Sequence, residues 1–228
     1  MSRQVVLDTE TTGLDPERGH RVIEIGAVEI ASRQSSGRVF HVYLNPDREI
    51  DAGAMEVHGI TKEFLAGKPR FADVVDDFLD FIADAELIIH NAPFDVGFLD
   101  AELARLDRGA LASHCNGVLD TLRLAKDLHP GQKNNLDALC RRYEVDNSGR
   151  SYHGALLDAQ LLAEVYLMMT RGQDSLAIEV RAPSSESGVE LARPKQLRVI
   201  APDAAELAAH AEYLRVLGKE AGREITPW

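Results

Sequence analysis

The sequence predicts an α/β domain built on a mixed β-sheet, an antiparallel meander followed by parallel strands, with helices on its faces. Two observations lead there. Three strand-like segments follow one another between residues 3 and 44 with short connections. From residue 71 to residue 169, short apolar strands then alternate with segments of helical period.

Arg3 to Asp8 carries the continuous apolar run Val5-Val6-Leu7 of a short buried strand. Arg21 to Ile30 alternates as a long strand does, with Val22, Ile23, Ile25, Ala27, Val28 and Ile30 around Glu24 and Glu29. Gly37 to Leu44 is a third strand, closed by the turn residues Asn45-Pro46-Asp47. Phe71, Val74, Val75, Phe78, Leu79 and Ile82 then share one face of a helix reaching about Ala83. A short strand at Glu86 to Ile89 leads into a helix from Phe94 to Leu106, with Pro93 near its first turn, where a missing N–H costs little. A strand at Val118 to Asp120 and helices at Leu122 to Leu128, Leu136 to Tyr143 and Gly154 to Met169 complete the alternation.

Beyond Thr170-Arg171-Gly172 the texture changes. Residues 181–196 are small, polar and punctuated by proline, as in a flexible linker. Order is expected to resume at Leu197 to Ile200. A helix over Asp203 to Leu217 follows, with Asp203 as cap, Glu206 three residues on, and an apolar stripe of Leu207, Tyr213, Leu214 and Leu217. A helix this short is marginal alone, so its apolar face needs a partner.

Composition sets the bounds. The 228 residues suffice for one sizeable domain and a tail. With 45% hydrophobic and 27% charged residues the chain is of ordinary soluble globular type. No apolar run approaches a membrane span, and Met1 to Gln4 runs straight into a strand, so no signal peptide is expected. Cys115 and Cys140 have neither metal-ligand spacing nor a disulfide framework, which fits a reduced, cytosolic compartment. The net charge of −12 is unusual for a protein that grips nucleic acid alone, since such proteins carry a basic face. Either the substrate is different, or bound cations and a partner supply the attraction.

Chemistry concentrates in three short blocks: Asp8-Thr9-Glu10, Asn91-Ala92-Pro93-Phe94-Asp95, and His153 with Asp158. Each has an ordinary structural explanation, as a solvated strand end, a carboxylate at a helix N-terminus and a surface histidine. Together, four carboxylates suit hard divalent cations such as Mg²⁺ or Mn²⁺, and the imidazole suits proton transfer. Asp8 and Glu10 are two apart on a strand and leave the same face. His153 and Asp158 cannot share a helix face at a spacing of five, so His153 is expected just before the helix and Asp158 inside it.

In this order the blocks match a known family. Val-Leu-Asp-Thr-Glu-Thr-Thr-Gly (6–13), Ile-His-Asn-Ala-Pro-Phe-Asp-Val-Gly-Phe-Leu (89–99) and His-Gly-Ala-Leu-Leu-Asp-Ala (153–159) resemble the three motifs of the DEDDh 3′→5′ exonucleases. Residues 24–29, 40–47, 57–60, 135–140 and 143–147 are similar to the epsilon (proofreading) subunits of bacterial DNA polymerase III. The resemblance covers residues 3 to about 178 closely and the tail loosely. It implies a ribonuclease H-like fold and removal of mispaired 3′-terminal nucleotides as 5′-monophosphates. Asp8, Glu10 and Asp158 would ligate two Mg²⁺ or Mn²⁺ ions, Asp95 would coordinate directly or through water, and His153 would be the general base. Thr11, Leu14, Val57, His58, Asn91 and Phe94 would cradle the terminal nucleotide.

The same resemblance divides the chain into an exonuclease domain (1–172), a clamp-binding peptide with linker (173–196) and a polymerase-binding segment (197–228). Gln173, Leu176 and Ile178 would meet the sliding clamp, the last segment the polymerase III catalytic (alpha) subunit, and a small theta-like accessory subunit would complete the set. The substrate would be a single-stranded or frayed 3′ end in the bacterial cytoplasm. RNA as substrate, and an adaptor without activity, are the alternatives.

Overall fold

In a computed structural model, residues 3–149, 152–171 and 202–221 are described. The chain divides into two compact units, Met1–Ile178 and Glu179–Trp228.

In the first unit, β1 (Arg3–Thr11), β2 (Val22–Ala31) and β3 (Gln34–Tyr43) form the antiparallel meander. Strands β4 (Ala85–Ile89) and β5 (Gly117–Asp120) join on the other side of β1, both parallel, giving the order β3-β2-β1-β4-β5. The expected mixed sheet is present, with β1 at its centre. Strand β3 begins three residues earlier than its sequence suggests. Ser32 and Arg33, both at positive φ, make a two-residue hairpin in which Ala31 pairs with Gln34. Such turns usually carry Asn-Gly, so this one gives no sequence signal.

Helices α1 (Ala52–His58) and α2 (Lys62–Leu65) follow β3, in a stretch where the sequence shows no helical period. Then come α3 (Phe71–Ile82), α4 (Ala92–Ala104), α5 (Thr121–Leu128), α6 (Leu136–Tyr143) and α7 (Ala155–Met169), each within a few residues of its expected bounds. The two sheet faces are separately packed. Val5 and Leu7 join Phe78 of α3 and Phe98 of α4, whereas Val6 joins Leu139 of α6 and Leu162 of α7. Alternation along β1 thus sends even-numbered residues toward α7 and odd-numbered ones toward α3 and α4.

In the second unit, α8 (Ala204–Ala221) starts with the expected reciprocal cap. The Glu206 amide donates to Asp203 Oδ1 at 2.8 Å, and the Asp203 amide donates to Glu206 Oε2 at 3.0 Å. Leu207, Tyr213 and Val216 are exposed. The expected clamp peptide (173–178), linker (181–196) and ordered stretch at 197–200 lie outside the described residues. No helix of the described residues is long and apolar enough to cross a membrane.

Candidate active site

Asp8 and Glu10 lie near the carboxyl end of β1 on the α7 side, Asp8 opposite Gly26 of β2 and Glu10 opposite Glu24. Gly26 is what lets α7 reach them. A Cβ there would sit 2.2 Å from the Leu156 backbone nitrogen, so only a glycine allows the first turn of α7 to lie directly on the sheet. That turn carries Asp158, which is buried, and its amide donates to Gly154 O at 2.9 Å. His153 stays outside the helix as its spacing requires, with 46% of its side chain exposed. Its amide donates to Val57 O of α1 at 3.1 Å, and its Nδ1 lies 3.3 Å from Asp158 Oδ2.

One ligand atom each from Glu10, His153 and Asp158 falls within a mutual 4.8 Å. Asp8, His153 and Asp158 also line one cleft of about 220 Å³, with His90 and Asp137 beside them and no lysine or arginine in its lining. Oxygen-rich ligands with no cationic side chain among them fit a hard divalent cation.

Asp95 enters from the other face. It sits buried in the first turn of α4, where Thr9 donates to its Oδ1 from both the amide (3.1 Å) and the hydroxyl (2.7 Å). Burial is the main cause that raises its pKa to about 7, opposed by the Thr9 bonds and aided by the negative charge of Asp120. Asp95 therefore couples to the cleft through Thr9, the residue between Asp8 and Glu10.

A second pocket of about 460 Å³ adjoins Glu10 and is lined by Thr11, Leu14, Val57, His58 and Phe94. Five of the six expected nucleotide contacts thus share one wall. Asn91 lies outside it, exposed at the start of α4 with φ 63°, its amide donating to Asp120 Oδ1 at 3.1 Å. Leu14 is 84% exposed. His58 is buried, and its Nδ1 accepts from the Ile60 amide at 3.0 Å, so a neutral ring carries its proton on Nε2. Burial lowers its pKa, which favours that neutral form. Nε2 meets no partner at full hydrogen-bond geometry among the described residues, although the Thr11 backbone beside the ring favours its charged form and partly opposes the burial.

Several supporting residues escaped the sequence reading. Thr12 and Asp51 hold His20, at 3.1 and 3.5 Å, against Gly13 in the turn that carries Leu14. Arg21 grips Glu102 of α4 through two 2.6 Å bonds, fixing that helix seven residues beyond Asp95. Gly26 escaped it too, although a glycine inside a strand pattern is a signal of close backbone approach.

The model of the exonuclease family matches residues 5–166. DNA polymerase III subunit epsilon of Salmonella typhimurium is 50% identical over 97% of this chain and 96% of its own length. The Escherichia coli K12 subunit is 49% identical with the same coverage. The chain belongs to this family of epsilon-type exonucleases. Among solved structures, exonuclease X in complex with 5′ overhanging duplex DNA is 27% identical with a TM-score of 0.57. That match covers 75% of this chain and 91% of the other. E. coli exonuclease I with a dT13 oligonucleotide, 20% identical with a TM-score of 0.66 over 76% of this chain and 42% of its own, shares the ribonuclease H-like fold. This epsilon-family chain is accordingly a phosphodiester hydrolase of a divalent-metal-dependent family, and its Glu10–His153–Asp158 cluster fits that dependence.

Proposed function

We propose that the chain removes mispaired 3′-terminal nucleotides from DNA as 5′-monophosphates, as the proofreading subunit of a bacterial replicative polymerase. The observation that carries this reading is the junction of an acidic cleft, bearing Asp8, His153 and Asp158, with a nucleotide-sized pocket across Glu10.

Asp8, Glu10 and Asp158 would hold two divalent ions, Mg²⁺ or Mn²⁺, with Asp95 supporting them directly or through water. When bound, such ions neutralise charge on the scissile phosphate and make water a stronger nucleophile at neutral pH. His153, half exposed and beside Asp158, is the general base. With Nδ1–H turned toward Asp158 Oδ2, the ring presents Nε2 to the attacking water. Leu14, Val57 and Phe94 offer the terminal base an apolar wall, and His58 Nε2–H is a donor for its sugar or phosphate. No base identity need be read. A mispaired end frays more readily, so selectivity follows from the lower cost of unpairing.

The partner reading is supported by the relatives' name and by the exposed apolar residues of α8. Residues 197–228 dock on the polymerase catalytic subunit, Gln173, Leu176 and Ile178 meet the sliding clamp, and a theta-like accessory subunit joins them. Tethering raises local concentration without adding contacts at the site, which suits an acidic nuclease working in the cytoplasm. A fragment ending at Arg171 should still degrade primers but fail to co-purify with the polymerase; its co-elution would overturn the role of the tail.

The activity test is degradation of a 3′-mispaired primer in Mg²⁺ by the natural chain, Asp8→Ala and His153→Ala. Both variants should be nearly inert. Undiminished activity in Asp8→Ala would overturn the metal assignment.

A further inference from the structure

A problem of grip remains in this site. The chain carries a net charge of −12, and neither pocket lining contains a lysine or arginine. Counterion release, the usual source of affinity for a nucleic-acid strand, is therefore weak at these walls. Stacking of unpaired bases on exposed aromatic rings is the other general source. It carries no charge and tolerates every base.

Tyr152 has the position for that role. It is 62% exposed although it immediately precedes His153. Its ring is not loose in solvent. One face of the ring lies against Gly59, the residue that caps α1, where a Cβ would meet ring atoms at 3.2 Å and φ is +69°, so glycine keeps the seat open. The next residue is tied to α1 by the bond from the His153 amide to Val57 O. Tyr152 is thus flanked by His153, which lines the acidic cleft, and by Val57, which lines the nucleotide pocket. The other exposed aromatic ring described in this unit, Phe64, already packs against Tyr43 and Lys68. No ring or cation lies over Tyr152 among the described residues.

We propose that Tyr152 is a substrate-contacting residue whose ring stacks on an unpaired base at the 3′ end of the strand, supplying part of the grip that an acidic surface lacks. The inference rests on the reading of the site as a 3′ exonuclease. It makes Tyr152 a sensor of fraying as well as a contact, because a base held in the duplex cannot present its face to the ring.

The test uses the full chain with Mg²⁺ on single-stranded oligonucleotides, comparing Tyr152→Ala, Tyr152→Phe and the natural protein. Base–aromatic stacking of about 1–2 kcal/mol corresponds to a KM raised roughly 5- to 30-fold in Tyr152→Ala, with kcat little changed. Tyr152→Phe should restore the natural KM. A second substrate with abasic residues at its last two positions should make the natural protein and Tyr152→Ala alike. Equal KM values on the ordinary strand would overturn the proposal. So would a loss carried by kcat and persisting on the abasic strand, since Tyr152 would then act by holding His153. A natural chain inert on every strand would instead sink the nuclease reading itself.

Discussion

The two faces of β1 solve opposite electrostatic problems with neighbouring residues. On the even face, Asp8 shares a cleft with His153 and Asp158 whose lining offers no lysine or arginine, and Glu10 approaches the same His153 and Asp158. On the odd face, the carboxylate of Asp95 is buried but answered from within the protein by two donors of Thr9. The first arrangement fits a divalent cation, and the second ties α4 to β1. One strand, through its alternation alone, therefore places Asp8 and Glu10 on one face and the Thr9–Asp95 contact on the other.

Breaking the even face should have the largest effect on activity and little on folding. Asp158→Asn is expected to lower kcat by at least about 10³-fold, because it removes the charge of a proposed metal ligand, while metal-free thermal stability stays level. A metal-free melting temperature that fell sharply would show that Asp158 is a structural group after all. Next comes Gly26→Ala. Its Cβ meets backbone rather than a flexible side chain, so the start of α7 must move. A displacement of about 1 Å is worth on the order of 10²-fold in rate, and the overpacking costs about 1–3 kcal/mol. Both losses should appear together in primer assays and urea unfolding.

On the odd face, Thr9→Val keeps shape but deletes the hydroxyl that Asp95 accepts. Loss of about 1–3 kcal/mol of stability is expected, with a 10- to 100-fold drop in activity from the misplaced support. Rescue of the activity at saturating Mg²⁺ would mean that Thr9 acts on metal affinity rather than on geometry.

The smallest effect is a pH dependence. Folding raises the Asp95 pKa from an ordinary 3.8 to about 7, so between those values the folded metal-free protein holds a proton that the unfolded chain has released. Its stability contribution must fall as pH rises from about 4 to 7 and then level off. Urea midpoints of metal-free protein should decline over that window, and Asp95→Asn should flatten the decline. An unchanged slope in Asp95→Asn would remove this carboxyl from the account.

Much of this contrast was legible in sequence, but unevenly. The strands declared themselves through Val5-Val6-Leu7 and the alternation of 22–30, and the His153–Asp158 spacing of five already required His153 to stand outside its helix. Helices α1 and α2 were not legible. Each spans two turns or fewer, too short for a period to show, although α1 carries Val57 and His58. Nor could sequence show that Asp95 answers to Thr9. Both are polar residues in ordinary contexts, and only the parity of β1 against α4 brings them together. Gly26 lay between those cases. Its identity hinted at a close approach, but not that the visitor would be a helix start 129 positions later.

The central position of β1 has a consequence for how the protein comes into being. Its carboxylates Asp8 and Glu10 are made well before His153 and Asp158, which follow some 150 positions later, just before and within the helix that rests on Gly26. A chain that stops short of α7 therefore cannot bring the proposed site together. Synthesis itself acts as a safety catch, and the nuclease is armed only once nearly the whole catalytic unit has been made.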